Sequence, residues 1–326
     1  MSEIRPTADY PDPFDWAQDR PLPEGEGTQR PFTEQEMRVF ERDAKIGVVG
    51  TADGAGLPHL SLITSLQARD PTHLMYGQFC EGLSKTHVKK DARTGFLIMS
   101  PDKEIWRGKA LWTHEAKSGE DYETYNKKPM FRYNSYFGIH TVHYLDLVTC
   151  GGKEKLDVRR IALGSLITML SRRMVRSKQA ERILKPWAEA HIAKPGTLKF
   201  LSYIGSDGYP VIVPVVPCQT ADSRRLLFAP TVYRRDLAAM PAGVTVAVFA
   251  VNLQMESVLV RGVFAGYRRY VGPAVGIIDI DWVYNSMPPK QGIIYPMGPL
   301  RPVAVHAPPQ IRTSSEPVRP RDRTLN

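Results

Sequence analysis

Ile46-Gly47-Val48-Val49-Gly50-Thr51, then Asp53-Gly54-Ala55-Gly56, then His59-Leu60-Ser61-Leu62-Ile63-Thr64 decides the fold. Two apolar, β-branched runs are separated by a glycine turn, which is the pattern of an antiparallel strand pair. Working outward, Thr33-Glu34-Gln35-Glu36 is a capping box that opens a short helix to about Arg42. Leu74-Met75-Tyr76 starts a strand after the Asp70-Pro71 turn, residues 82–92 suit a helix, and 95–100, 104–113 and 139–149 continue the strands. From 153 to 193 the period changes to that of one or two amphipathic helices with a break near Arg176.

After residue 195 the first pattern returns. Asp53-Gly54 before Pro58 is answered by Asp207-Gly208 before Pro210, and Leu74-Met75-Tyr76 by Leu226-Leu227-Phe228. Gly95 is matched with Gly243, Arg107-Gly108 with Arg261-Gly262, and Gly138-Ile139 with Gly276-Ile277, the offset drifting between 138 and 154 residues. Five landmarks in one order imply an internal duplication of a small antiparallel β unit. The expected fold is mainly β with helices: two tandem split-barrel repeats packed as an intrachain pseudo-dimer and joined by a helical linker. The boundaries read as an extended arm over 1–32, repeat one over 33–150, a basic helical linker over 151–194, repeat two over 195–287 and a Pro/Arg-rich tail over 288–326.

Composition narrows the function classes. The chain has 326 residues, 42% hydrophobic and 24% charged, with three scattered cysteines and no C-x-x-C. This excludes a disordered chain, a disulfide framework and a cysteine zinc site, and the expected compartment is the cytoplasm. No apolar run reaches the ~20 residues of a spanning helix, Val244–Val251 being among the longest, so no membrane partner is expected. Net charge is +9, and residues 153–194 hold eleven Lys/Arg against four acids. Trp187 is the one aromatic in that stretch, which argues against a stacking platform for nucleic acid. Gly151-Gly152-Lys153 is followed by Glu154 where a P-loop needs Ser or Thr, and no G-x-G-x-x-G or G-x-S-x-G occurs. No H-x-x-x-H pair offers a metal site.

The set 53–65, Leu74–Gly77, Ser84-Lys85-Thr86, 95–99 and 107–110 resembles the pyridoxamine-phosphate-oxidase-like family of FMN-binding split barrels, over about two-thirds of the chain. Taken alone, Ser84-Lys85-Thr86 reads as a helix start with a solvated lysine. Physically it also offers two hydroxyls, an ammonium and backbone N–H groups to a phosphate. The resemblance implies that Ser84, Lys85 and Thr86 grip the FMN phosphate with help from Ser61, while Ile63 and Thr64 line the flavin ring. The chain departs from the family where Ser61 and Leu66 replace basic residues, so phosphate affinity is expected to be weaker or borrowed from elsewhere, for example from Arg107 or Lys109. Arg234-Arg235 and Val213-Pro214 stand at the matching places of repeat two, whose site is expected to be degenerate, leaving one competent site built mainly by repeat one. The implied activity is an FMN-dependent oxidoreductase with a small-molecule electron donor or acceptor; Tyr76, Trp106 and Tyr133 are candidates to shape its site. A cofactor-binding module without turnover is the alternative, holding FMN, deazaflavin or haem, with His87, His114 or His143 as axial ligand for the last. A further homodimer is compatible with the sequence.

Overall fold

A computed structural model describes residues 30–128, 138–179, 181–270, 272–285 and 292–296. The fold is mainly β, with two antiparallel sheets of eight strands each and a few helices. In the first half, α1 (Glu34–Phe40) is followed by β1 (Ile46–Ala52), β2 (Pro58–Leu62), β3 (Gln67–Asp70), β4 (His73–Gln78), α2 (Leu83–His87), β5 (Arg93–Met99), β6 (Glu104–Ala116), α3 (Glu120–Lys127), β7 (Thr141–Cys150) and β8 (Glu154–Lys155). The connecting α4 (Val158–Ser171) and α5 (Pro186–Ala193) come next. The second half holds β9 (Leu198–Ile204), β10 (Pro210–Pro214), β11 (Gln219–Thr220), β12 (Arg225–Phe228), α6 (Arg234–Ala238), β13 (Thr245–Val251), β14 (Ser257–Arg268), β15 (Val275–Asn285) and β16 (Gly292–Tyr295).

The two sheets share one topology. Their orders are β2-β1-β5-β6-β7-β4-β3 and β10-β9-β13-β14-β15-β12-β11. β1 and β9 begin at residues 46 and 198, β2 and β10 at 58 and 210, and β5 and β13 at 93 and 245, a constant spacing of 152. The drifting offset read from the sequence is therefore corrected. Gly95 corresponds to Ala247 rather than Gly243, and Lys109 to Arg261, because Lys109 pairs with Gly95 and Arg261 with Ala247. The strand register keeps this spacing through β6 and changes after it, where α3 lengthens the first half. The stretch assigned to a tail also differs: its residues Gly292–Tyr295 form β16 on β15. Residues 1–29 of the arm and 297–326 of the tail lie outside the described residues.

Alternation explains how the halves join. On β1, Val49 enters the first half's core while Val48 faces the other half; on β5, Phe96 and Ile98 point in and Leu97 points across. On β13, Val246, Val248 and Ala250 fill the second core, and Ala247, Phe249 and Val251 cross to meet Val48, Leu60 and Leu97. Both faces are buried, so these strands read as unbroken apolar runs rather than as alternating ones. β2 lies against β9, β13 and β14, and β10 against β1, β5 and β6, the reciprocal contacts of a pseudo-twofold arrangement. At Gly95 the two backbones approach closely: a Cβ there would sit 2.2 Å from the Pro210 carbonyl oxygen. Among the described residues, no helix is long and apolar enough to cross a membrane.

Candidate functional site

The pseudo-twofold arrangement creates two comparable corners between the halves. One is formed by β2 and α2 of the first half with β14 and β15 of the second. The other is formed by β10 and α6 of the second half with β6 and β7 of the first. Register fixes the correspondence: Lys109 faces Thr149 and Arg261 faces Trp282, while Arg107 receives the Gly151 N–H and Leu259 pairs with Tyr284. Thr149 thus corresponds to Trp282, and Gly151 to Tyr284.

At the first corner the corresponding positions carry large, buried aromatic residues. The Trp282 and Tyr284 rings stack at 5.4 Å and 7°, and His59 meets Tyr284 and His87 edge-on at 5.4 and 5.0 Å. The Arg261 guanidinium lies 4.3 Å from the Trp282 ring centroid, with Nη1 donating to Asp53 at 2.7 Å. His59, Trp282 and Tyr284 are all buried. Burial, with the neighbouring cationic groups, holds His59 down to about 3, so the ring is neutral.

Most of the residues proposed from the sequence lie at this corner. Ser61 is buried on β2, opposite Val49, and α2 packs on β1 and β2, bringing Ser84 and Lys85 alongside. Among the described residues, the Ser84 hydroxyl is buried without a hydrogen-bond partner and Lys85 forms no ion pair. Burial lowers the Lys85 ammonium below its usual range. Thr86 is exposed, and Thr64 is half-buried in the turn after β2. Ile63 does not stand where a ring-lining residue would. β2 ends at Leu62; the Ile63 side chain enters the core with Phe40, Leu66 and Trp106, and its N–H is taken by the Gly47 carbonyl at 2.7 Å.

At the second corner the small residues leave a cavity of about 580 Å³. Its wall carries Arg107, Lys109, Lys153 and Arg235 against Glu154 and Asp236. Arg107 is locked: Nε donates to Glu154 at 3.0 Å, Nη2 to Asp236 at 2.8 Å, and its guanidinium lies 4.7 Å from the Tyr233 ring centroid. Burial opposes its charge, but the two carboxylates outweigh this and raise its pKa further. Lys109 reaches across the halves to Asp207. Tyr203 donates to the Asp236 carbonyl at 2.7 Å. Burial pushes both the Tyr203 hydroxyl and the Cys150 thiol up to about 12, so each keeps its proton at neutral pH. Sequence reasoning had named Arg107 and Lys109 only as auxiliaries. It missed the roles of Thr149 and Gly151, since their smallness matters only against Trp282 and Tyr284 at corresponding positions.

The remaining candidates fall elsewhere. Tyr76 and Trp106 are fully buried in the first core, and Tyr133 lies outside the described residues. None of His87, His114 and His143 lines the cavity. His143 has both nitrogens engaged, accepting from Trp112 Nε1 at 3.1 Å and bonding Gln78 Oε1 at 2.7 Å. Among the described residues, no group of three or more His, Cys, Asp or Glu side chains is placed to hold a metal.

No protein-family model and no curated protein sequence matches the chain. Among solved structures, it is similar to HupZ from Group A Streptococcus at 14% identity, covering 36% of this chain and 91% of that one, with a TM-score of 0.31. It is similar to an FMN-binding protein from Syntrophomonas wolfei at 13% identity, covering 38% and 86%, with a TM-score of 0.32. A putative pyridoxamine 5'-phosphate oxidase from Lactobacillus delbrueckii is similar at 18% identity, covering 38% and 96%, with a TM-score of 0.31.

Proposed function

We propose that the chain holds a phosphate-bearing flavin-type cofactor, FMN or a deazaflavin, in the cavity between its halves, and serves as an oxidoreductase for a small-molecule donor or acceptor. The observation that carries this reading is the exchange of Trp282 and Tyr284 for Thr149 and Gly151, which opens one corner where the other is filled. The cavity size suits a small-molecule site. Of the four basic side chains on its wall, Arg107 is taken up by Glu154 and Asp236, while Lys109 and Lys153, paired with Asp207 and Glu104, are the ammonium groups that can turn to an anionic group. The sequence resemblance supports the flavin; the equal strand orders support reading the halves as a tandem duplication forming an intrachain pseudo-dimer. A bound flavin would supply the electron or hydride chemistry. The chain's own contribution is binding and orientation: Lys109 can exchange its Asp207 contact for a phosphate, while Arg107, its charge offset by Glu154 and Asp236, holds the cavity wall in a fixed geometry.

A second reading is a module that holds the cofactor without turnover. Tyr203 and Cys150, the titratable side chains beside the ion pairs, both hold their protons far too tightly to exchange them near neutral pH.

The visible spectrum after incubation with FMN and desalting tests the reading. Retained flavin is expected, lost in Gly151→Tyr, which copies Tyr284 into the open corner. Lys85→Ala is expected to keep it. Loss in Lys85→Ala with retention in Gly151→Tyr would move the site to the first corner. A protein that takes up neither FMN nor a deazaflavin would overturn the proposal.

A further inference from the structure

Helix α4 is inside out for a surface helix. The residues it buries are mostly small or polar, Gly164, Thr168 and Ser171, with Ile167 the one large apolar side chain among them and Ile161 half-buried against the core between the halves. Close packing explains them, since a Cβ on Gly164 would lie 2.4 Å from Thr231 Oγ1. The large apolar residues face away. Leu163, Leu166, Met169, Leu170 and, just beyond the helix, Met174 are 48–57% exposed. An ordinary surface helix carries its apolar stripe toward the core, whereas this stripe is left uncovered among the described residues.

Charge indicates what covers it. Arg159 and Arg160 stand at one end of the stripe, and Arg173 and Arg176 at the other, all exposed. From 158 to 180 the chain contains no acidic residue. Asp157, at the helix N-cap, is engaged by the Arg160 N–H and guanidinium. A second copy docked about a twofold axis on α4 would bring arginines against arginines with no acid between them. A nucleic acid would satisfy the arginines and leave the leucines and methionines in water.

We propose that α4 seats the protein on an anionic lipid surface, its Leu/Met stripe entering the headgroup–acyl boundary and its terminal arginines meeting lipid phosphates. The helix spans about 21 Å at 1.5 Å per residue, and a stripe of this kind bounded by basic residues is the pattern of a helix lying in the membrane plane. This departs from the sequence expectation of no membrane partner, which rested on the lack of a spanning helix, and it is independent of the cofactor reading.

Flotation of the full-length protein with vesicles tests the assignment, using phosphatidylglycerol–phosphatidylcholine mixtures against phosphatidylcholine alone. Binding is expected only to the anionic vesicles, falling as salt rises, and weakening about fivefold for each of Arg160→Gln and Arg173→Gln. Leu166→Asp combined with Met169→Asp should abolish it while leaving the circular dichroism and thermal midpoint unchanged. Equal recovery with both vesicle types, or with neither, would overturn the proposal. So would light scattering that shows a dimer split by Leu166→Asp in a protein that does not float, which would make α4 a contact between copies.

Discussion

Arg261 on β14 donates from Nη1 to Asp53 Oδ2 at 2.7 Å, joining the second half to the β1–β2 turn of the first. At the corresponding position of β6, Lys109 reaches Asp207 in the β9–β10 turn. The two contacts run from corresponding bases to acids two places apart in the matching turns, and they are not equally enclosed: side-chain exposures are 13% and 21% for the first pair, and 31% and 45% for the second. Arg261→Ala is therefore expected to cost about 2 kcal/mol, and Lys109→Ala about 0–1 kcal/mol, in urea unfolding. Burial would raise the Asp53 carboxyl, but donation from the Leu57 and Ala55 N–H groups and from Arg261 brings it below its usual value. The contribution of this carboxyl is thus complete above pH about 4 and fades as pH falls through its lowered value.

Gly108 and Gly262 each press a backbone against the next strand. A Cβ on Gly108 would lie 2.0 Å from the Thr149 carbonyl oxygen, and one on Gly262 would lie 2.1 Å from that of Asp279. Neither oxygen belongs to a side chain that can swing aside. Either glycine changed to alanine should destabilise the protein by about 1–3 kcal/mol, seen as a lower midpoint in chemical denaturation.

Glu36 gathers three donors in one buried carboxylate. Arg30 holds it through Nη1 and Nη2 at 3.0 and 2.7 Å, Trp106 Nε1 donates at 2.9 Å, and the Thr33 N–H completes the capping box at 2.9 Å. Glu36→Ala strands these donors and should cost about 2–4 kcal/mol, while Glu36→Gln keeps acceptors for Trp106 and Thr33 and should cost about half as much. Thermal melts of the two variants beside the parent protein give the comparison.

Two buried histidines make the fold acid-sensitive. Burial holds His59 down to about 3 and His143 down to about 4, whereas an unfolded histidine titrates near about 6.5. Between those values the unfolded chain binds more protons, so stability rises with pH across this window and is lost as pH falls from about 6.5 toward 4. Urea melts at pH 7 and pH 5 should show the drop, and His59→Phe, which suits the surrounding aromatic rings, should shrink it.

Much of the architecture was legible because its signals are local. The capping box at Thr33 and Glu36, the turns before Pro58 and Pro210, and the apolar runs of β1, β5 and β13 announce themselves within a few residues. Four of the five repeat landmarks aligned letters rather than places; only Leu74-Met75-Tyr76 and Leu226-Leu227-Phe228 keep the spacing of 152, and Asp53 corresponds to Gly205 rather than to Asp207. Arg107-Gly108 was set beside Arg261-Gly262, yet the residue corresponding to Arg107 is Leu259. Glycines relieve close approaches, and where those fall depends on bulges such as the ones after Lys109 and Arg261, which leave no local trace. The candidate site was less legible for a related reason. Ser84 and Lys85 are visible as a polar triplet in sequence, but whether there is room for a ligand depends on Trp282 and Tyr284, nearly two hundred residues away.

In an assembly of two identical chains, any change to a residue at the interface is written into both of its sites at once; filling one fills the other. Here Trp282 and Tyr284 occupy one corner and Thr149 and Gly151 the other within a single polypeptide, so each corner answers to its own codons. One can become a solid strut, contributing buried aromatic area to hold the halves together, while its counterpart stays hollow. A chain built this way can trade ligand capacity for rigidity one site at a time.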